Sequence, residues 1–319
     1  MKKLLDGISK LQVAVIGDVI LDHFAWGKVS RISPEAPVPV VDVERDVWFS
    51  GGAANVAIDV ASMKAPTTLY GSSADDTPGE TLSDLLLNAQ IYYDRFLPSE
   101  GSPTAVKTRI AASGQQLLRI DRAANPKEYS PSIGYVENML KSLDKFDAVI
   151  ISDYARGFLN DEIVNSVIET MRAAKKFVSI DPKPRHRLNF CRPNLMTANR
   201  EEAFALAEMP DNDSELPICE LAQKIYDRYK PDHTVITLGG DGMYLCRGPE
   251  PLRHIPPAAR EVSDPAGAGD AVIASLSLAL AAGEPVERAA RFANVAAGIV
   301  VGKMGSTTVS AQELSSHDF

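Results

Sequence analysis

The sequence predicts an α/β fold, a mainly parallel sheet with helices on both faces, accompanied by a small second sheet. Short apolar runs that read as buried strands recur at 11–18, 148–153, 177–181 and 234–239. Helical patterns separate them, as over 161–174 and 216–229. Alternating strands and helices make parallel pairs, because a parallel connection needs a crossover, and strands covered on both faces read as continuous apolar runs. Two stretches, near 23–50 and 92–122, break the rhythm. They are strand-like, with polar interruptions and no crossover helix, and suit a small β-sheet lid on a single domain spanning 1–319.

The first run, Leu11-Gln12-Val13-Ala14-Val15-Ile16-Gly17-Asp18, ends in Gly-Asp, and the runs at 148–153 and 177–181 also end in Asp. Open α/β sheets bind ligands at the carboxyl ends of their strands. Asp18, Asp153 and Asp181 are therefore candidates for one crevice, or residues that merely stop strands and start turns. Next, Ser50-Gly51-Gly52-Ala53-Ala54-Asn55 joins the first lid segment to a helix. The glycines let a ligand approach the backbone, and the Asn55 amide offers sugar hydroxyls a donor and an acceptor; a packed turn is the plain alternative. Asn199-Arg200-Glu201-Glu202 opens another helix, as a capping box or with Glu202 orienting magnesium through water. The stretch 237–244 reads as strand, turn, strand, with Asp241-Gly242 in the turn and spare glycines open to a phosphate.

Asp264-Pro265-Ala266-Gly267-Ala268-Gly269-Asp270 leads into an apolar helix over 271–282 that stops at Gly283. Small residues at a helix start leave N–H groups and the helix dipole facing outward, a site for an anion. Asp270 either caps this helix or takes the proton from a hydroxyl that attacks a phosphate. The last long helical pattern, 285–301, carries Asn294, Ala297 and Gly298 on neighbouring turns, suited to close packing or to the wall of an adenine site.

Composition narrows the classes. A net charge of −9 without long Lys/Arg runs disfavours nucleic acid and anionic membranes, so an anionic ligand needs a local site. Three cysteines (Cys191, Cys219, Cys246) form no C-x-x-C pair, and the five histidines no pair at metal-ligand spacing. This argues against a disulfide framework or structural zinc and fits a reducing compartment. The start leads into no signal-type core, and the longest apolar run, 271–282, is too short to span a bilayer; the expectation is a soluble cytoplasmic protein. The Gly-Lys pairs at 27–28 and 302–303 lack the Ser or Thr of a Walker loop, and no G-x-G-x-x-G follows the first strand. The protein-kinase motifs are absent too, so a phosphotransferase here is of another class, and a dinucleotide-binding oxidoreductase is disfavoured.

Together, Gly51-Gly52-Ala53-Ala54-Asn55 and the stretch 264–270 resemble the two signatures of the ribokinase-like (PfkB) family of sugar kinases, and the resemblance covers nearly the whole chain. Within the family, the stretches 30–41, 17–22, 115–121, 152–157 and 180–183 resemble kinases that phosphorylate D-glycero-β-D-manno-heptose 7-phosphate on the way to ADP-heptose and lipopolysaccharide cores. The resemblance implies a three-layer αβα sandwich with a β lid, ATP as donor, Mg2+, and transfer to the anomeric hydroxyl. It implies Asp270 as base and the amides of Gly267, Ala268 and Gly269 as anion hole. By the same resemblance Asp18, Gly51, Gly52 and Asn55 hold sugar hydroxyls. Asn199 and Glu202 serve the magnesium-phosphate side, Glu202 through water, and Thr237, Gly239, Gly240 and Asn294 line the nucleotide site. A monovalent cation such as K+ is implied near the anion hole, with Asp264 as a ligand.

The substrate's own phosphate needs a second basic cluster, for which Arg31, Lys107, Arg109, Arg119, Lys183, Arg185 and Arg187 are candidates, Arg109 and Lys183 foremost. A homodimer through the lid is expected, with Val38, Val40, Val43, Trp48 and Phe49 in contact. Two departures from the family pattern stand out. Pro265-Ala266 replaces the usual Thr or a similar residue, and Pro265 has no N–H to give. Thr197-Ala198-Asn199 replaces the usual Thr-Pro-Asn. Many such kinases are fused to an adenylyltransferase; ending at Phe319, this chain is expected to be the kinase alone. The alternatives are a kinase of another hexose or pentose, and an inactive scaffold, against which Asp270 argues.

Overall fold

The computed structural model describes residues 1–211, 216–258, 266–303 and 307–317. Asp264 and Pro265 thus lie outside the described residues. The first part of the chain forms α1 (Lys2–Ile8), β1 (Val13–Gly17), β2 (Val19–Ile32), β3 (Pro39–Gly52), α2 (Ala53–Ser62), β4 (Thr67–Ser72), α3 (Thr77–Asn88), β5 (Tyr92–Phe96), β6 (Val106–Ala112) and β7 (Gln115–Arg122). Then come α4 (Ile133–Ser142), β8 (Ala148–Ser152), α5 (Asp161–Ala173), β9 (Phe177–Asp181), β10 (Leu195–Asn199), α6 (Arg200–Leu206), α7 (Ile218–Tyr229) and β11 (His233–Thr237). The chain continues through β12 (Met243–Arg247), β13 (Glu250–Ile255), α8 (Ala268–Ala281), α9 (Val286–Val301) and α10 (Ala311–Ser315).

The main sheet has the order β13-β12-β11-β10-β9-β8-β1-β4-β5. Its pairs from β5 to β11 are parallel, and β12 and β13 extend it antiparallel. β1 and β8 are buried at every position. Val13 and Val15 point into a core shared with α2, α8 and α9, whereas Ala14 and Ile16 point into one shared with α5 and α7. That two-residue alternation between two cores makes the three layers. Helix sequences match their places. In α5, Asn160 caps by accepting the Ile163 N–H at 2.9 Å, and Ile163, Val164, Val167, Ile168 and Met171 form one buried stripe. By contrast α8 is buried from Asp270 to Ala279, because α2 and α9 pack on it as well as the sheet.

The chain leaves β1 toward β4 and β5, and later fills the other side with β8 to β11. Strand order therefore switches between β1 and β8, where a crevice opens at the carboxyl edge. Along that edge stand Asp18 after β1, Asp153 after β8, Asp181 closing β9, Asn199 closing β10 and Thr237 closing β11.

The second sheet joins β3, β2, β6 and β7. Its extent corrects both expected lid segments. The first begins at Val19 rather than near 23. The second, expected over 92–122, enters this sheet only at Val106, because Tyr92–Phe96 pairs with β4 at the edge of the main sheet. The crossover helix missing from the sequence reading is α3, with Asp76 accepting the Gly79 N–H and Pro78 in the first turn. Within the lid, Trp48 stacks on His23 at 3.9 Å and Phe49 meets Phe24 edge-on, while Val38 and Val43 are exposed. Among the described residues no helix is long and apolar enough to cross a membrane.

Candidate active site

Asp270 is the third residue of α8, behind Gly267 in a left-handed conformation (φ 82°). It does not cap the helix. Its carboxylate, 7% exposed, accepts hydrogen bonds from Asn55 Nδ2 at 2.8 Å and from the Tyr154 hydroxyl at 2.7 Å. Burial pushes Asp270 above the ordinary carboxylate value, while the bonds from Tyr154 and Asn55 and the Lys183 ammonium hold it back. The N–H groups of Ala268, Gly269 and Asp270 precede the first intrahelical bond, from Ala271 N–H to Gly267 O at 2.9 Å. A Cβ on Gly269 would meet nothing within 4 Å, so a ligand can reach those amides. A raised carboxyl beside free helix-start amides can accept a proton while the amides hold an anion.

Two carboxylates, Asp18 and Asp22, stand at the β1–β8 switch in different surroundings. Asp18, 1% exposed, accepts the N–H groups of Tyr154 at 2.9 Å, Arg156 at 3.0 Å and Phe158 at 3.0 Å. It thereby anchors the loop that carries Tyr154, a role the sequence did not suggest. Asp22, given no role by sequence reasoning, is the carboxylate whose charge raises Asp270. Arg109 Nη1 donates to it at 2.5 Å. Gly51 and Gly52 also have reasons of their own: a Cβ on Gly51 would come within 2.2 Å of Asp22 Oδ2, and one on Gly52 (φ 59°) within 2.4 Å of Asp18 O. These glycines let β3 end tightly against β2. Asn55 is buried, with its Nδ2 donating to Asp270 and its Oδ1 without a partner among the described residues.

The basic candidates separate by their partners. Arg109 is spent on Asp22 and lies 4.9 Å over the Phe24 ring. Lys183 pairs with Glu202, and Asp181 and Asp270 add to its field. It therefore stands toward the β9–β10 side of the crevice, not with the lid cations. Lys107 is half-buried; its ammonium lies 5.4 Å over the Tyr154 ring, whose other cation is Lys183 at 5.3 Å. Burial, Arg156 and Arg109 push Lys107 down, against Asp22 and Asp121. Arg156 reaches Asp121 at 3.5 Å, but its Nε is buried with no hydrogen-bond partner among the described residues. Arg31, Arg119, Arg185 and Arg187 are exposed. Sequence reasoning gave Tyr154 and Arg156 no role. Their signal was position, directly after the strand-end Asp153 at the switch point.

Further along the edge, Asn199 and Glu202 form the capping box, each side chain bonded to the other's backbone N–H. Glu202 also holds Lys183. Asp181 accepts from Thr197 Oγ1 at 3.0 Å. Burial pushes it up to about 7, with Glu202 and Asp270 adding to the rise and Lys183 opposing it. Two carboxylates that disfavour each other's charge suit a divalent cation that keeps most of its waters. Among the described residues no group of three or more His, Cys, Asp or Glu could hold a metal, so a fully protein-made cage is not offered there. Beyond lies a cavity of 210 Å³ lined by Thr237, Gly239, Gly240, Ala268, Gly269, Asn294 and other small or apolar residues. A Cβ on Gly239 or Gly240 would point into open space. Asn294 donates to Pro256 O at 2.7 Å. Ala268 and Gly269 thus put the start of α8 on the wall of this cavity.

Known proteins match the chain in family and in fold. Residues 10–313 match the model of the pfkB family carbohydrate kinases. The Bifunctional protein HldE of Actinobacillus succinogenes is 42% identical over 307 residues, which are 95% of this chain and 62% of that protein. The Bifunctional protein HldE of Sulfurimonas denitrificans is 35% identical over 308 residues, 96% of this chain and 64% of that protein. The chain thus spans less than two thirds of the curated relatives it matches. The fold is that of Arabidopsis thaliana ribokinase, solved with ribose and ATP, at a TM-score of 0.74 and 21% identity over 96% of this chain and 98% of that one. With the family's model matched over 10–313 and the ribokinase-like fold around it, this chain belongs to the pfkB family of carbohydrate kinases.

Proposed function

We propose that this chain transfers the γ-phosphoryl group of ATP to the anomeric hydroxyl of D-glycero-β-D-manno-heptose 7-phosphate, forming the 1,7-bisphosphate and ADP. One observation carries the choice of a sugar that already bears phosphate. Lys107 and Arg156 Nε are drawn into the lid side of the crevice; among the described residues Lys107 forms no ion pair, Asp22 and Asp121 acting on it only from a distance, and Nε has no hydrogen-bond partner. Buried cationic groups want an anion. In this reading the 7-phosphate lies against Lys107 and Arg156, which replace the expected Arg109 and Lys183.

Asp270 takes the proton from the anomeric hydroxyl, and the oxygen attacks the γ-phosphorus in line as the bond to the ADP oxygen breaks. Amides of Gly267, Ala268 and Gly269 stabilise the charge that develops. Asp22 orients sugar hydroxyls, Asn55 holds Asp270, and Lys183 meets the transferred phosphate. Thr237, Gly239, Gly240 and Asn294 hold the nucleotide, with Asn199 shaping its phosphate side. Glu202 through water, with Asp181, would hold Mg2+, which when bound neutralises triphosphate charge. A K+ site at Asp264 belongs to the proposal, although Asp264 lies outside the described residues. Residues 1–319 act as one domain, in the cytoplasm where ATP is made, and pair as a homodimer through the lid. Exposed Val29, Ile32, Val38 and Val43 on β2, β3 and their turn, with Leu117, Leu118 and Ile120 on β7, supply apolar surface for that contact.

The test compares kcat/KM for heptose 7-phosphate and for the unphosphorylated heptose, with the product position assigned by NMR. Two charge-assisted hydrogen bonds correspond to a preference on the order of 10²–10⁴. Equal constants, or phosphorylation elsewhere than C1, would remove this reading.

A further inference from the structure

Asp59 has no part in the chemistry described so far. It is 0% exposed on α2, one turn beyond Asn55, and among the described residues neither of its carboxylate oxygens has a full hydrogen-bond partner. Asn55 is buried too. Its Nδ2 donates to Asp270 at 2.8 Å, while its Oδ1 is also without a partner. Side chains four residues apart on a helix are neighbours. The same face of α2 therefore carries three buried acceptor oxygens that accept no full hydrogen bond from the described residues, the Val309 N–H acting on Asp59 only from outside that geometry. One added proton resolves this, because a neutral carboxyl brings its own donor. Orientation is at stake as well. If the Asn55 amide turned over, Oδ1 would face the Asp270 carboxylate, acceptor against acceptor.

We propose that Asp59 is a positioning residue: as a neutral carboxyl it donates its proton to Asn55 Oδ1 and thereby keeps the Asn55 NH2 group on Asp270. The proposal rests on the reading of Asp270 as the base. The charged groups that face Asp59 among the described residues are Asp270 on α8 and Lys303 beyond α9. Burial and the Asp270 charge push Asp59 well above the ordinary carboxylate range, while the Val309 N–H and the Lys303 ammonium pull the other way. Lys303 is already engaged, by Glu313 at 2.7 Å and Thr308 O at 2.7 Å. An ionised carboxylate buried without a hydrogen-bonded partner is disfavoured, so the neutral form holds at neutral pH.

Infrared difference spectra of wild type against Asp59→Asn at pH 7 test the proton directly. The expected difference is a neutral-carboxyl C=O band lost in the variant; loss of carboxylate bands instead overturns the proposal. This measurement needs no turnover, so its failure is distinct from failure of the base assignment, which Asp270→Asn tests. Kinetics test the positioning. Asp59→Leu removes the donor and lowers kcat by about tenfold or more, with KM for ATP little changed. Asp59→Asn, whose amide donates but cannot ionise, recovers most of that kcat and keeps it to higher pH than wild type. Should Asp59→Leu fail to fold, the spectrum and the Asp59→Asn pH profile still decide. Asp59→Asn as inactive as Asp59→Leu would mean that the carboxylate itself is needed, as for a bound cation, and full activity of Asp59→Leu would mean that no donor is needed; either result overturns the proposal.

Discussion

Replacing Tyr154 with Phe isolates what the hydroxyl does for Asp270. The ring stays, so the contacts of Lys107 and Lys183 with it, at 5.4 and 5.3 Å, are kept. Only the 2.7 Å bond from the hydroxyl to Asp270 Oδ1 is lost. A hydrogen bond to a charged group is worth about 1.5–3 kcal/mol net, and 1.36 kcal/mol is one pKa unit, so Asp270 should rise by about 1–2 units. The sign follows from the balance at the site: burial raises Asp270, and the Tyr154 bond is the first influence that lowers it. As the proposed base, Asp270 works ionised. The acid limb of kcat against pH should therefore move upward by about 1–2 pH units, with activity returning at alkaline pH. Stability gives a second reading of the same sign. The charged Asp270 loses a donor, so the melting-temperature deficit of Tyr154→Phe should be small at acid pH, where Asp270 is neutral, and grow as pH rises. Steady-state kcat across pH, with calorimetry over the same range, checks both. An acid limb that stays in place or moves down would refute the argument that this hydroxyl tunes the base.

Three further outcomes are expected. Asp270→Asn should keep fold and ATP binding but lose about 10²–10⁴ in turnover; near-normal turnover in a variant of unchanged melting temperature would remove the base. Lys107→Ala should raise KM for heptose 7-phosphate by about tenfold or more while leaving the unphosphorylated sugar nearly unaffected, and an equal loss on both would place Lys107 outside the phosphate site. Sedimentation at micromolar concentration should show a dimer that Val38→Glu weakens; a fully active monomer would remove the lid contact.

Much of the frame was legible because it is written in local patterns. The runs at 13–17 and 148–152 are buried on both faces, and such strands have little choice of residue. The glycine-rich start of α8 and the small residues of α9 carry their packing in their composition, and both border the cavity that also takes in Gly239 and Gly240. What was not legible depends on partners far away in the chain. Tyr92–Phe96 has the polar interruptions of a lid strand, and only its pairing with β4 assigns it to the main sheet.

Asp18 and Asp22 show the limit most clearly. Both are acidic, both lie just beyond β1, and a strand that places one at an edge leaves the other nearby. Which of them faces the crevice is settled by the loop at 154–158, whose amides arrive 136 to 140 residues later to occupy Asp18. Three N–H groups tie that carboxylate to its loop, and in the proposed reading the sugar contact falls to Asp22 beside Gly51. Lys183 follows the same logic: sequence offers a cation near a strand end, and its pairing with Glu202 holds it toward α6. Polar residues at strand ends announce a site; the division of labour among them is a property of the hydrogen bonds that the whole fold has already spent.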